Sequence, residues 1–205
     1  MRGERDGTDD TDASGARQSI GARRNPASAA AILDAAEALL AEKGLGGFSI
    51  EAVARAARAG KPTIYRWWPS RTSLVLAVYQ RSKQVLPEVD TGSVAGDCRA
   101  FLTSLLTYWR DTPSGQLFRS VVAEAQHNTE AAEVLAAYSD ERHNGTANIF
   151  RRAMARGEIR ADIDPVLAAE MLASFARGRL LTGRLDAPPA AIERVVDQFV
   201  GGLRA

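Results

Sequence analysis

A run of eleven residues, KPTIYRWWPSR at 61–71, gathers side chains suited to gripping a polyanion. Lys61 and Arg66 can neutralise phosphates or pair with guanine edges, Thr63 can meet a thymine methyl or a phosphate, and Tyr65 can donate its hydroxyl to a phosphate. Ile64, Trp67 and Trp68 alternate with them as anchors. Backbone N–H groups at the helix starts near Gly60, and near Ser70 and Arg71, supply further phosphate donors.

Other chemistry is thin. A paired acid and base, a nucleophile elbow, an H-E-x-x-H pair and a phosphate-binding glycine loop are all absent, so no catalytic residue is expected. Glu124 and His127 are three apart, a spacing that chelates a metal if His143 joins them; no further ligand cluster supports this, and neither metal nor cofactor is expected. Glu124, His127 and His143 are also the scarce groups able to orient a polar small molecule. The bulky side chains of the second half, Phe101, Tyr108, Trp109, Phe118, Phe150 and Phe175, are candidates to line a cavity or simply to fill a core. Tyr108 and Trp109 stand out because each carries a polar group that needs a partner when buried. The single Cys98 forms no disulfide within the chain.

The elements that must position these residues read as helices throughout. Asn25 as cap and Pro26 at the first position open a helix with Ile32, Leu33, Ala36, Leu39 and Leu40 on one face, which Gly44 stops. Phe48 and Ser49 form a hydrophobic staple and N-cap, with Phe48 meeting Val53, for a short helix over 50–57. A second short helix runs over 60–67, where Pro62 is tolerated because first-turn N–H groups have no partner anyway. Two short helices behind a longer amphipathic one make a helix-turn-helix. Pro69 and Ser70 introduce a helix over 71–86 that Pro87 closes, and five more follow over 94–110, 114–127, 130–156, 165–182 and 189–203, with Thr129 and Asp164 as caps. The expected fold is all-α with about nine helices: a polar tail over 1–24 that cannot offset its ordering entropy, a helix-turn-helix domain over 25–70, and a helical domain over 71–205.

Net charge is only +1, but residues 17–83 carry eleven basic and four acidic side chains, whereas 1–16 and 84–205 are each net −3. This is the charge distribution of a nucleic-acid-binding head on a body with another task, or else of an Arg-rich helical surface. No secretory or membrane-spanning stretch appears, so a cytoplasmic protein is expected. The last helix places Ile192, Val195, Val196, Phe199, Val200 and Leu203 at three-to-four spacing, a stripe that either its own chain or a second copy must cover.

The segment 32–79, above all the 61–71 run with the preceding Gly44 and Phe48-Ser49, resembles the TetR/AcrR family of repressors. The resemblance implies that Ser49 and Tyr65 contact phosphates, that Lys61, Thr63 and Arg66 lie in or beside the major groove, and that Arg71 clamps a phosphate where the family usually has Lys. It implies further a homodimer on double-stranded operator DNA, a four-helix bundle pairing Leu167, Met171, Ser174, Phe175 and Gly178 with the last helix, and a small-molecule effector held in the body that releases the operator. The family's turn usually carries Ala-Gly and an apolar residue. Here Ala57 and Arg58 stand in the turn, with Ala57 expected to resist a left-handed conformation and Arg58 to remove an anchor or add a phosphate contact. Arg23 and Arg24, just before the first helix, either reach a minor groove or belong to a merely solvated charged tail. A helical adaptor that keeps the fold without binding DNA is the alternative.

Overall fold

A computed structural model of the protein describes residues 26–83 and 89–204. The expected tail, the Asn25 cap, Arg23 and Arg24, and the Pro87 stop lie outside the described residues.

Each of the nine expected helices is there, and no strand occurs among the described residues. The head consists of α1 (Pro26–Lys43), α2 (Ile50–Ala56) and α3 (Lys61–Trp67), followed by α4 (Arg71–Lys83). Gly44, at φ +62°, ends α1 as the sequence predicts. Ser49 caps α2 by accepting from the Ala52 N–H at 3.2 Å, while Phe48 and Val53 close the staple in the core. Ser70 and Ser73 cap α4 reciprocally: each hydroxyl oxygen accepts the other's backbone N–H, at 3.0 and 3.1 Å.

The body comprises α5 (Val94–Asp111), α6 (Ser114–Ala125), α7 (Thr129–Thr146), α8 (Asn148–Ala155), α9 (Pro165–Leu181) and α10 (Pro189–Leu203). The helix expected over 130–156 is broken at Ala147 into α7 and α8. Gly145 and Thr146, both weak helix formers, precede the break, and Arg151 donates to the carbonyl of Asn144 that the interrupted ladder frees. The cap of α7 is Asn128 rather than the expected Thr129; its side chain accepts from the Ala131 N–H at 3.0 Å. Asp164 caps α9 as predicted, accepting from Val166 and Leu167.

Helix α4 belongs to both halves. Leu74, Val75 and Val78 are buried along it, and Arg81 reaches Asp34 and Glu37 of α1. From the same helix Tyr79 stacks on Phe118 of α6 at 5.1 Å and meets Tyr138 of α7 edge-on. Any displacement of the helices around Tyr79 therefore bears directly on the helix that supports the head.

Candidate nucleic-acid interface and inner cavity

Two turns of α3 are held by their inner face. Ile64 is fully buried and Trp68, just past the helix end, nearly so, with Trp67 edge-on to Trp68 at 5.9 Å. The remaining positions point outward: Lys61, Tyr65 and Arg66 are exposed, Tyr65 by 45%, and Thr63 is half-buried. The Arg66 guanidinium lies 5.9 Å from the Trp67 ring centre. Lys61 is bridged to Glu51 of α2 at 3.2 Å. The backbone N–H at Glu51 and the ammonium beside it hold that carboxyl below the usual range.

Four other expected residues behave differently from one another. The oxygen of Ser49 is committed to its cap, which leaves the hydroxyl proton to donate. Gly60 caps α3 without a side chain. The left-handed residue of the turn is Arg58, at φ +50°, and Ala57 sits at an ordinary φ of −79°. The expected difficulty at Ala57 is thus displaced by one residue, because the chain reverses after the last α2 hydrogen bond; the half-buried Ala59, not Arg58, takes the apolar place. Arg71 is turned inward. Its guanidinium donates to the carbonyls of Phe48 and Leu45 and pairs with both oxygens of Glu124 on α6 at 3.1 Å. It ties the α1–α2 loop of the head to the body, a partnership that no spacing in the sequence announces.

Between α4, α5, α7 and α8 lies a half-open cavity of about 220 Å³, with a side extension of about 40 Å³. Phe101 lines both, and Trp109 and Phe118 line the extension. Among the other expected residues, Tyr108 is occupied by hydrogen bonds of 2.7 Å to Ser82 and Ser114, Phe150 is core packed edge-on to Phe199, and Phe175 lies under Arg179 on α9. Sequence reasoning missed Lys83, Arg142 and Arg152 in the cavity wall, and Tyr79 and Tyr138 in the extension. Tyr79 accepts the indole N–H of Trp109 at 2.7 Å, and burial pushes its phenol pKa, like that of Tyr138, upward. Burial, then the nearby Arg142, lowers the Lys83 ammonium to about 8. His143 also faces the extension, its pKa lowered first by burial. Glu124 is taken by Arg71 and His127 is exposed, so the residues considered for a metal do not come together, and the described residues hold no cluster of three such ligands. Cys98 is buried, its thiol pushed up to about 12 by that burial.

The stripe on the last helix divides. Ile192 and Val196 are buried inside the chain, where α10 packs on α5, and so offer no surface to a second copy; Val195 and Phe199 are half-buried. The open apolar surface is on α9, where Leu167 and Met171 are 53% and 54% exposed and align with Ser174, Gly178 and Leu181. No described helix is long and apolar enough to cross a membrane.

Residues 32–78 match the model described as bacterial regulatory proteins, tetR family, and residues 88–199 match that of the tetracyclin repressor-like C-terminal domain. The HTH-type transcriptional regulator YdeS of Bacillus subtilis is 25% identical over 144 residues, 69% of this chain and 72% of its own length. A DNA-binding transcriptional repressor TetR of Mycobacteroides abscessus is 28% identical over 186 residues, 86% of this chain and 94% of its own. The crystal structure of the TetR family transcription regulator SCO0332 superposes with a TM-score of 0.73 at 27% identity, covering 87% of this chain and 99% of that one.

Proposed function

Because the chain belongs to the TetR family of bacterial transcriptional regulators, we propose that it works in the cytoplasm as a homodimeric repressor, released from a palindromic operator by a small molecule. The outward display on α3 carries this reading: Lys61, Tyr65 and Arg66 project from a two-turn helix whose other face is locked by Ile64 and Trp68. Such a helix enters a major groove with its cations and phenol leading. Residues 25–70 form the DNA-binding unit and 71–205 the effector and dimerisation unit, with α4 as the shared beam. The exposed α9 stripe of Leu167, Met171 and Leu181, flanked by Val195 and Phe199 of α10, supports the dimer, and Gly178 lets a partner helix approach closely.

Release follows from linkage: an effector that prefers the non-operator conformation lowers operator affinity in proportion to that preference. Helix α4 is the path, since Tyr79 and Lys83 at one end touch the cavity while Arg71 at the other is tied to the head. A mobility-shift and footprinting assay on DNA flanking the protein's own gene tests the proposal. Protection of one palindrome, weakened about tenfold or more in both Lys61→Ala and Tyr65→Phe without loss of folding, is the expected result. Full protection by both variants would falsify the assignment of α3.

A further inference from the structure

Among the described residues, the charged groups in the cavity wall are all of one sign. Among the described residues lining it, Lys83, Arg142 and Arg152 carry charge, and no carboxylate does. The three cations are not equally satisfied. Arg152 is answered by the fully buried Asp97 at 3.4 Å and by Asp90 at 3.8 Å, both outside the lining. Arg142 leans on its neighbour Glu141 at 3.3 Å, an exposed pair that water screens. Its buried Nε finds no hydrogen-bond partner among the described residues. Lys83 makes no hydrogen bond or ion pair with any described residue. Around these cations Phe101, Leu105 and Ile149 of α5 and α8 form an apolar patch, interrupted by the polar Ser104, Thr146 and Asn148, and the aromatic extension opens beside it. A half-buried ammonium with no acceptor among the described residues is poorly compensated for the water it has lost, so it points to an anion that arrives from outside.

We propose that this cavity binds a small organic carboxylate, its charged end met by Lys83 and Arg142 and its apolar body laid on Phe101, Leu105 and Ile149. The proposal names the chemical class of the effector and rests on the cavity being the effector site. A volume of about 220 Å³ lies below the usual range of roughly 300 to 1,000 Å³ for drug-sized ligands. It therefore fits a single ring or a short chain rather than a large multi-ring molecule. A bare inorganic anion would satisfy the cations and leave the apolar wall uncovered; a neutral ligand would do the reverse. Because Lys83 closes α4, occupancy acts on the helix whose far end holds Arg71.

Calorimetric titration of the full-length protein with benzoate and hexanoate, against benzamide and inorganic phosphate, tests the assignment. One or both carboxylates should bind, with benzamide and phosphate weaker by about tenfold or more. Lys83→Met should weaken carboxylate binding roughly ten- to a hundredfold while raising the melting temperature, and Lys83→Arg should restore most of the affinity. Equal affinity for benzamide, equal affinity for phosphate, unchanged binding by Lys83→Met, or no binding of either carboxylate at millimolar concentration each overturns the proposal. Footprinting of ligand-free wild type and Lys83→Met separates it from the regulator reading. Operator protection without carboxylate binding sinks only the carboxylate class; carboxylate binding without operator protection supports the class and sinks the regulator.

Discussion

The α3 surface and the body cavity solve opposite problems with the same residue types. On α3, Lys61 and Arg66 are cheap to keep: they stand in water, and the cost of holding them falls on Ile64 and Trp68 behind them. In the body, Lys83 and Arg142 line a partly enclosed space, and neither Lys83 nor the buried Nε of Arg142 has a hydrogen-bond acceptor among the described residues. The difference teaches where stability and function compete. The outward face of α3 can be altered with little effect on folding, whereas removing a cavity cation should stabilise the fold and cost ligand affinity, the usual trade at a binding site.

The comparison breaks most sharply at Ile64, where the head's anchor is fully buried. Ile64→Ala should cost about 2 to 5 kcal/mol, read by urea unfolding, and abolish operator binding although no DNA-facing side chain has changed. Carboxylate binding to the body should persist in the same variant. Loss of both together would mean that head and body fold as one unit, and that the contrast between them is one of orientation only. Next in size is the tie between them. Glu124→Ala removes the carboxylate that faces Arg71, a pair about one-third and one-fifth exposed, and should cost roughly 1 to 2 kcal/mol after allowance for solvent. Thermal melting reads that loss. If the tie transmits the effector signal, the variant should still bind operator yet release it less completely when the cavity is filled; full release would place the coupling in Tyr79 and the α4 packing instead.

These two regions were also unequally legible. The 48–71 segment is contiguous, and its chemistry depends on short-range periodicity, a staple and a cap, so Lys61, Tyr65, Arg66, Phe48 and Ser49 could all be read from spacing. The cavity is assembled from α4, α5, α7 and α8, so its wall joins Lys83 to Arg142 and Arg152 across roughly sixty to seventy positions of sequence, and no local pattern connects them. Aromatic size marks Phe101, Trp109 and Phe118 but also Phe150, whose burial beside Phe199 is ordinary core. Arg71 is the instructive case: the position was recognised, but its three internal acceptors come from the α1–α2 loop and from α6. On α10 the periodicity correctly marked an apolar stripe. It could not tell that Ile192 and Val196 face α5 within the chain while the open surface lies on α9.

The smallest expected effect is at Arg58, and it sharpens the contrast because, among the described residues, this is the non-glycine position held at positive φ. At φ +50° a residue with a Cβ is held in the left-handed region, at a cost of about 1 kcal/mol relative to glycine. The side chain is exposed, in the turn that precedes α3. Arg58→Gly should therefore raise stability by about that amount, measured by denaturant unfolding, because the strain is relieved and no buried contact is lost. If the guanidinium meets a phosphate, operator affinity should fall severalfold, and the salt dependence of binding should lose about one unit of slope. A stability gain with unchanged affinity and slope would mean that the left-handed arginine is strain without a contact. The head would then be a purely outward display, with Lys61, Tyr65 and Arg66 carrying all of its electrostatics.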